Sequence, residues 1–481
     1  MEYNFKTKPY DHQHQAWKDS WSAEYYALFM EMGTGKSKVA IDTIGALYTT
    51  EKINAALIVA PKGVYDNWVK GEIPAHLSDN VKRMIVRWTP SSAKKFQEEM
   101  KELVYESFEG LKIFVMNVEA LSTPRGTKAA FAFLKNNPDN IMVVDESTTI
   151  KNRKATRTKN VMMLSNEAKY RRILTGSPVT KSPMDLFAQC TFLAERALGF
   201  NSYYAFQNRY AVVQKRKMGN RAFQEIVAYR RLDELNEKLE KFSNRILKED
   251  CLDLPDKVYT KREVPLTDEQ KKLYVQMKKL ALAQLDNGEL STTASVLTQI
   301  MRLQQICCGH ITDDDGNIVS VTSNRYKELV DICDELQGKA IIWATYTQDI
   351  QQIASALRDR FGPEAVATYY GATAQDDRQD IVSKFQDKDS ELRFFVGQPK
   401  TGGYGITLTA ANTVIYFSNS YDLEIRLQSE DRAHRISQSN KVTYVDLVAP
   451  DTIDEKILKA LRSKIDLAGK VLGEEARDWL L

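Results

Sequence analysis

The stretch that decides the fold reads Met30-Glu31-Met32-Gly33-Thr34-Gly35-Lys36-Ser37. An apolar run typical of a β-strand precedes it, and a pattern typical of a helix follows it. Glycines let successive backbone N–H groups face phosphate oxygens, the lysine reaches the β- and γ-phosphates, and the serine hydroxyl ligates magnesium. Met30 departs from the pattern, because a glycine is usual at that position. The stretch predicts a nucleotide-binding loop, with a glycine-containing turn and a chance lysine as the alternative. The predicted contacts are Gly33, Thr34, Gly35, Lys36 and Ser37.

Length and composition set the class of protein. A chain of 481 residues is too long for one core, so we expect two or three domains. Its 43% hydrophobic and 27% charged residues are typical of a soluble globular protein, and the net charge of +3 does not itself require a nucleic acid. The five cysteines lack Cys-x-x-Cys spacing, so neither a zinc site nor a disulfide framework is expected. No signal peptide or membrane span is recognisable, and we expect no membrane partner.

Short apolar runs alternate with amphipathic segments in two parts of the chain, which is the pattern of parallel sheets covered by helices. Residues 187–249 and 267–306 instead have charged, helix-forming sequence, and the first of these segments shows no strand signal. The sequence therefore predicts an α/β fold with two parallel-sheet lobes, each carrying a helical insertion. The predicted strands are Tyr25–Met30, Ala55–Ala60, Lys82–Trp88, Lys112–Asn117, Ile141–Val144, Arg172–Thr175, Ala340–Ala344, Ala365–Tyr369, Arg393–Val396, Thr413–Phe417 and Val442–Val448.

A pair of carboxylates, Asp145 and Glu146, follows the apolar run Ile141–Val144. At the carboxyl end of a strand downstream of a phosphate loop, such a pair suits two tasks. Asp145 would hold magnesium, and Glu146 would orient or deprotonate an attacking water. A solvent-exposed acidic strand end is the alternative.

Two further stretches lie in the second half of the chain. If residues 428–438 form a helix, then Gln428, Arg432 and Arg435 share one face and suit a γ-phosphate and its attacking water. A solvated helix whose acids pair with the arginines is the alternative. The stretch Thr401–Ala411 is rich in glycine, including Gly402 and Gly405, and would allow close backbone approach to a phosphate chain.

Together these motifs resemble the Swi/Snf-type ATPases of helicase superfamily two, over nearly the whole chain. The resemblance implies two RecA-like lobes, residues 1–253 and 254–481, with helical protrusions at about 187–249 and 267–306. It implies ATP and Mg²⁺ as cofactors, an adenine contact at Gln13, a nucleotide contact at Gly405, and arginines from the second lobe completing the site on closure. The positions that match the family's DNA-contacting motifs are Pro61, Lys62, Asn67, Trp68, Thr401 and Gly402.

Basic residues cluster within the first predicted protrusion, where Lys215, Arg216 and Lys217 stand among aromatic residues with Glu225 as the single acid nearby. Such a patch suits the phosphates of DNA, and a solvated surface is an equally weighted alternative.

The resemblance implies an ATP-dependent double-stranded DNA translocase that remodels forks, junctions or protein–DNA complexes. Its expected partner is double-stranded or branched DNA, and we expect a monomeric motor of bacterial or phage origin without chromatin-reading domains. It would act in the cytoplasm, or in the host cytoplasm for a phage protein, with the nucleus left open. The alternatives are a strand-separating DNA or RNA helicase of the same superfamily and a non-hydrolysing DNA-binding scaffold.

Overall fold

The computed structural model describes residues 3–62, 64–91, 93–218, 221–252, 254–286, 293–312, 317–402, 406–435 and 438–472. Contacts divide the chain into two compact units. The first is built mainly from residues 3–211 and 229–252, together with 467–472, and the second mainly from residues 212–228 and 254–466. Within the described ranges, no helix has both the length and the apolar character needed to cross a membrane.

The strands of the described residues are β1 (Tyr25–Met30), β2 (Ala55–Ala60), β3 (Arg83–Arg87), β4 (Leu111–Asn117), β5 (Asn140–Asp145), β6 (Tyr170–Leu174), β7 (Ala211–Met218), β8 (Arg221–Tyr229), β9 (Ser243–Ile246), β10 (Lys257–Glu263), β11 (His310–Thr312), β12 (Ile318–Ser320), β13 (Lys339–Trp343), β14 (Val366–Tyr369), β15 (Phe394–Gly397), β16 (Ala411–Tyr416) and β17 (Val442–Val448).

The α-helices are α1 (Asp11–Ser20), α2 (Lys36–Thr49), α3 (Tyr65–Asn67), α4 (Ile73–His76), α5 (Lys94–Tyr105), α6 (Pro124–Asn136), α7 (Thr156–Ser165), α8 (Asp185–Leu193), α9 (Tyr203–Tyr210), α10 (Leu232–Glu240), α11 (Lys248–Cys251), α12 (Asp268–Asp286), α13 (Thr293–Cys308), α14 (Arg325–Glu335), α15 (Thr347–Phe361), α16 (Gln375–Gln386), α17 (Pro399–Gly402), α18 (Leu423–Glu430) and α19 (Ile453–Leu472). A π-helical turn spans Trp68–Glu72, and 3₁₀ turns span Val118–Ser122, Ser147–Ile150 and Pro363–Ala365.

The first unit contains a seven-stranded sheet in the order β3-β4-β2-β5-β6-β1-β9. Every pair of neighbours is parallel. The strands are short apolar runs because both faces of a parallel sheet are covered; β2, for example, is buried along its whole length. The carboxyl ends of parallel strands share one edge, where ligands bind in such sheets. This topology brings the loop after β1 and the residues after β5 to the same edge.

The second unit contains a six-stranded parallel sheet in the order β10-β17-β16-β13-β15-β14. Its core lies on both faces of this sheet and includes Ile342, Val396 and Ile415 on one face and Trp343 and Phe395 on the other. The α/β class with two parallel sheets is therefore confirmed.

The eleven strands predicted from the sequence are all present, with ends shifted by at most two residues. Helices α12 and α13 confirm helix over most of residues 267–306. The lobe limits themselves stay a prediction.

Helix throughout residues 187–249 is wrong, because this segment also contains β7, β8 and β9. Strands β7 and β8 form a separate two-stranded sheet. Their sequences carry β-branched residues between charged ones, and the intervening Gly-Asn is of the type that favours hairpin turns. The charged residues obscured this signal. Strand β9 is short and polar, and its pairing with β1 is a tertiary interaction that local sequence does not reveal.

Candidate nucleotide-binding site

The predicted phosphate loop connects β1 to α2 and depends on its glycines. Gly33 and Gly35 have φ angles of +86° and +92°, in the left-handed region that glycine tolerates and other residues rarely adopt. A Cβ atom on Gly35 would lie 2.2 Å from Nε2 of Gln13, so the side chain of Gln13 occupies that space. Gly176, after β6, packs on the same loop, since its Cβ would lie 3.2 Å from the backbone nitrogen of Met32.

Gln13 lies in α1 against this loop. Its Nε2 donates to the Thr34 carbonyl oxygen over 3.1 Å, and its Oε1 accepts from the Tyr10 N–H over 3.1 Å. A ring nitrogen of His12 also lies 2.8 Å from the Thr34 carbonyl oxygen. The structure therefore places Gln13 at the loop, where its side-chain amide is hydrogen-bonded to the backbone of Thr34 and Tyr10. Its contact with adenine stays a prediction.

Asp145 ends β5 at the edge of the sheet that carries the loop, and it is buried. Its Oδ1 accepts a hydrogen bond from the Glu146 N–H over 3.0 Å, and its Oδ2 accepts one from the indole N–H of Trp68 over 2.9 Å. Burial raises the pKa of Asp145, while the charge of Lys36 and the two hydrogen bonds act in the opposite direction.

Glu146 lies next to the lysine of the loop. Its Oε1 is 4.0 Å from Nζ of Lys36, and its Oε2 is 3.5 Å from the Thr175 hydroxyl, which donates to it. Its φ of +46° lies in the left-handed region, which costs a non-glycine residue about 1–3 kcal/mol and persists where the surroundings enforce it. The structure thus brings Lys36, Asp145 and Glu146 together from β1–α2 and β5.

The oxygen donors at this edge fit magnesium. Mg²⁺ is commonly held by one or two carboxylates together with substrate phosphates and water. Asp145 supplies the carboxylate, and the half-buried Ser37 at the start of α2 supplies a hydroxyl beside the loop. Within the described ranges, no group of three or more His, Cys, Asp and Glu side chains is arranged to hold a metal ion.

Two basic residues that the sequence analysis did not identify, Arg245 and Lys248, pack beside the loop. From β9, Nη1 of Arg245 donates to the carbonyl oxygens of Phe29 and Gly176 over 3.2 and 2.9 Å. From α11, the Lys248 N–H donates to the carboxylate of Glu31 over 2.8 Å. The buried side chain of Lys248 passes Gly33, its Cε 3.6 Å from the position that a Cβ would take there. The sequence analysis did not single out these residues, because strand β9, which carries Arg245, and the short helix α11 that follows it and carries Lys248 were not predicted.

The predicted DNA-contacting residues after β2 separate into two groups. Lys62 and Asn67 are exposed. Pro61 is buried, and its carbonyl oxygen accepts hydrogen bonds from the next helical turn. Trp68 is fully buried, because the helical turn directs its indole into the core. Its assignment as a DNA-contacting residue stays a prediction that the position of its side chain does not support.

The basic cluster lies on β7. Lys215 and Arg216 are exposed, and Arg216 pairs with Glu225 of β8 at 2.5 Å. Lys217 belongs to the same strand. The prediction of DNA contacts here stays a prediction, now on a β-hairpin instead of a helix.

In the second unit, the helix on which the shared face of Gln428, Arg432 and Arg435 depended ends at Glu430, the last residue of α18, and residues 431–435 do not continue it. The hydroxyl of Tyr444 donates to the Glu430 carbonyl oxygen over 3.0 Å, and the chain continues as irregular turns. The two arginines nevertheless meet. Nη1 of the buried Arg432 donates to the Ile406 carbonyl oxygen over 3.0 Å, and Nη1 of the half-buried Arg435 reaches the same oxygen at 3.4 Å.

The remaining contacts of this group distinguish the predicted catalytic residues. Nε of Arg432 donates to the Gln428 carbonyl oxygen over 2.8 Å, so the guanidinium of Arg432 is hydrogen-bonded to two backbone carbonyl groups, those of Gln428 and Ile406. Nη1 of Arg435 donates to the Thr407 hydroxyl over 2.7 Å. Gln428 is buried, and its amide is 3.4 Å from Glu424. Arg435 is therefore the more accessible of the two arginines.

A buried ionic network holds α18 in place. The guanidinium of Arg426 donates to both carboxylate oxygens of Asp446 over 2.6 and 3.0 Å and to Glu430 over 2.7 Å. The second oxygen of Glu430 accepts from the Tyr259 hydroxyl over 2.8 Å. Because each buried charge has partners, the network can fix the position of the arginines that follow the helix.

The predicted contacts at residues 401–405 are only partly supported. Gly402 is buried, and a Cβ there would lie 2.7 Å from the ring of Trp343, so packing alone explains this glycine and its contact with DNA stays a prediction. Thr401 is half-buried, and its hydroxyl donates to Gln398 over 3.2 Å. Gly405 lies outside the described residues.

Comparisons with known proteins agree with these motifs. The family model of the SNF2-related domain matches residues 22–311, more than half of the chain, and that of the helicase conserved C-terminal domain matches residues 324–437. Among curated proteins, the SWI/SNF chromatin-remodeling complex subunit snf22 of Schizosaccharomyces pombe is 28% identical over 468 residues. The alignment covers 92% of this chain and 26% of that protein.

An uncharacterized ATP-dependent helicase of Mycoplasma genitalium is 27% identical over 448 residues, covering 92% of this chain and 40% of the relative. A solved Sulfolobus solfataricus SWI2/SNF2 ATPase core in complex with dsDNA has 25% identity and a TM-score of 0.43, with 98% of this chain and 96% of that chain covered. The chain thus spans well under half the length of these curated relatives. With the SNF2-related domain followed by the helicase C-terminal domain, the chain belongs to the Snf2 family of helicase superfamily two.

Proposed function

We propose that the protein is a DNA-dependent ATPase that translocates along double-stranded DNA and remodels forks, junctions or protein–DNA complexes. The observation that carries the ATPase part is the convergence of Lys36, Asp145 and Glu146 beside the glycine loop. Membership of the Snf2 family supports it, since several relatives are named ATP-dependent helicases.

Each residue has a task that its surroundings suit. The loop amides and Lys36 bind the phosphate chain of ATP, while Ser37 and Asp145 would hold Mg²⁺. When bound, magnesium supplies neutralisation of charge on the β- and γ-phosphates. Glu146, held by Lys36 and the Thr175 hydroxyl, orients the attacking water and accepts its proton.

Turnover also requires the arginines of the second unit. The resemblance assigns Gln428, Arg432 and Arg435 to the γ-phosphate. The contacts of the two arginines favour Arg435 as the group that stabilises transition-state charge, because it is less buried. Arg432 then has a structural role, because it donates to the Ile406 carbonyl oxygen, to which Arg435 also donates.

The DNA part rests on family resemblance and on exposed cations. Lys62 and Asn67 are exposed beyond the carboxyl end of β2, and Lys215 and Arg216 are exposed on β7. Contacts to phosphates position a protein on a duplex without reading its sequence, which suits a motor. Such contacts also require no separation of the strands.

Release of phosphate from ATP, measured with no nucleic acid, with duplex DNA, with branched DNA and with RNA, tests the proposal. Duplex or branched DNA should stimulate the wild-type protein far more than RNA. The protein should also use ATP to displace the third strand of a triplex. No phosphate release under any condition would identify the non-hydrolysing scaffold.

A strand-separating helicase is the second candidate, because relatives in Mycoplasma genitalium and Arabidopsis thaliana are named helicases. A plain forked duplex without a complementary strand distinguishes it. We expect no ATP-driven separation of that fork, and efficient separation, or stronger stimulation by RNA, would favour the helicase.

A further inference from the structure

Trp68 connects two parts of the first unit that the sequence treats as separate. It is fully buried in the core that also contains Ala60, Val143 and Ile73. Its indole N–H donates to Oδ2 of Asp145 over 2.9 Å, between residues 77 positions apart in the chain. Packing alone would explain a buried aromatic side chain at position 68. Because the indole N–H of Trp68 also donates to a buried carboxylate, it additionally fixes the orientation of that carboxylate.

The hydrogen bonds of Asp145 show what this donor does. Its Oδ1 accepts from the N–H of Glu146, the next residue in the chain, so that bond is local and ties the carboxylate to no other element. The bond from Trp68 to Oδ2 comes from a different element and ties the carboxylate to it. Hydrogen-bond partners behind a metal-binding carboxylate orient it and tune its affinity for the metal.

The segment that leads from β2 to Trp68 carries the exposed residues proposed to contact DNA, Lys62 and Asn67. Lys62 is exposed after β2, the chain then turns through α3, and exposed Asn67 directly precedes Trp68. Trp68 itself starts the π-helical turn Trp68–Glu72, and single π-helical turns occur frequently at functional sites. One peptide bond therefore separates a surface side chain from the indole that holds Asp145.

We infer that Trp68 is a positioning residue that orients Asp145 for magnesium and couples occupancy of the surface at Lys62 and Asn67 to ATP turnover. This inference rests on the proposed function. DNA on Lys62 and Asn67 would hold the segment in place, and the indole would transmit that restraint to the carboxylate. Without the indole N–H of Trp68, the Asp145 carboxylate keeps its hydrogen bond from the Glu146 N–H but loses its connection to the segment that carries Lys62 and Asn67.

The test replaces the donor and keeps the ring. Trp68→Phe removes the N–H, and Trp343→Phe is the matched control, because Trp343 is also fully buried but its indole N–H has no hydrogen-bond partner among the described residues. Placing benzothienylalanine at position 68, in which sulfur replaces the N–H, preserves the shape of the indole and serves if Trp68→Phe folds poorly.

Two readouts are needed. The first is the magnesium concentration that supports half-maximal binding of a fluorescent ATP analogue, with binding in EDTA as reference. The second is the ratio of ATP turnover with duplex DNA to turnover without it. Both position-68 variants should require about 10–100-fold more magnesium, the usual cost of losing such a partner. They should bind the analogue normally in EDTA and lose most of the DNA stimulation, while Trp343→Phe should change neither readout.

Results for the position-68 variants that match Trp343→Phe in both readouts would overturn the inference and leave Trp68 as a core residue. A change in magnesium requirement with normal DNA stimulation would overturn the coupling part. A wild-type protein without ATPase activity would refute the proposed function instead, and the binding readout would still decide whether Trp68 orients Asp145.

Discussion

Replacing Gly35 with alanine tests whether the loop geometry is needed for nucleotide binding. The φ of Gly35 is +92°, and a Cβ in the left-handed region costs about 1–2 kcal/mol. The new methyl group would also lie 2.2 Å from Nε2 of Gln13, so that side chain must move and lose its bond to Thr34, worth about 1 kcal/mol. The free loop can relax away from this strain, whereas nucleotide binding requires the strained conformation, so up to the sum of about 2–3 kcal/mol is lost from binding, or roughly 30- to 150-fold in affinity.

Equilibrium binding of a fluorescent ATP analogue measures this loss, and two controls separate its parts. Gly362 also has a positive φ, +93°, with a ψ of 154° and no atom within 4 Å of its would-be Cβ, so Gly362→Ala places a strained alanine in the second unit without an overlap and should leave binding unchanged. The double variant with Gln13→Ala removes the overlap and should recover part of the loss caused by Gly35→Ala. Wild-type affinity in Gly35→Ala would refute this account of the loop.

The remaining predictions concern the second unit, the basic hairpin and pH. Arg435→Ala should reduce DNA-stimulated turnover by about 10³-fold or more while ATP still binds, and near-normal turnover would remove its assigned role. Alanine at Lys215, Arg216 and Lys217 should lower the slope of log affinity for duplex DNA against log salt by roughly one unit per lost contact, and an unchanged slope would exclude the hairpin from the DNA surface. Burial raises the pKa of Asp42 to about 6 from 3.8, against the opposing effect of Lys38. Because the pKa of Asp42 is higher in the folded than in the unfolded state, its protonated form favours folding. This contribution to the free energy of unfolding is fully present below about pH 4, and about 3 kcal/mol is lost as the pH rises through 6. The difference in unfolding free energy between Asp42→Asn and wild type should therefore shift in favour of the variant between pH 4 and 7, and a difference independent of pH would contradict it.

The sequence predicted the parts of the fold that local pattern determines. Buried strands of a parallel sheet are continuous apolar runs, so Ala55–Ala60 could be recognised without a structure. Edge strand β9 is polar and gains its conformation from pairing with β1, and β10, at the edge of the second sheet, is mostly exposed along its length. Their local sequences therefore resemble those of loops or helix ends.

The candidate site shows the same division. Gly33, Lys36 and the Asp145-Glu146 pair were predictable because phosphate and metal chemistry restrict residue type and spacing. The role of Trp68 was not, since its contact with Asp145 depends on which side of a short helical turn faces the core. Arg245 and Lys248 were missed for a similar reason, because strand β9 and the short helix α11 that carry them pack beside β1 and the loop only in the folded chain.

The central claim is that Glu146 drives ATP hydrolysis at the loop that holds Lys36. The most direct measurement compares Glu146→Gln with wild type for binding of the fluorescent ATP analogue and for phosphate release with duplex DNA. The substitution keeps the size of the side chain and removes the charge that accepts the proton. The account predicts wild-type affinity with turnover abolished, and turnover of Glu146→Gln at the wild-type rate would contradict it.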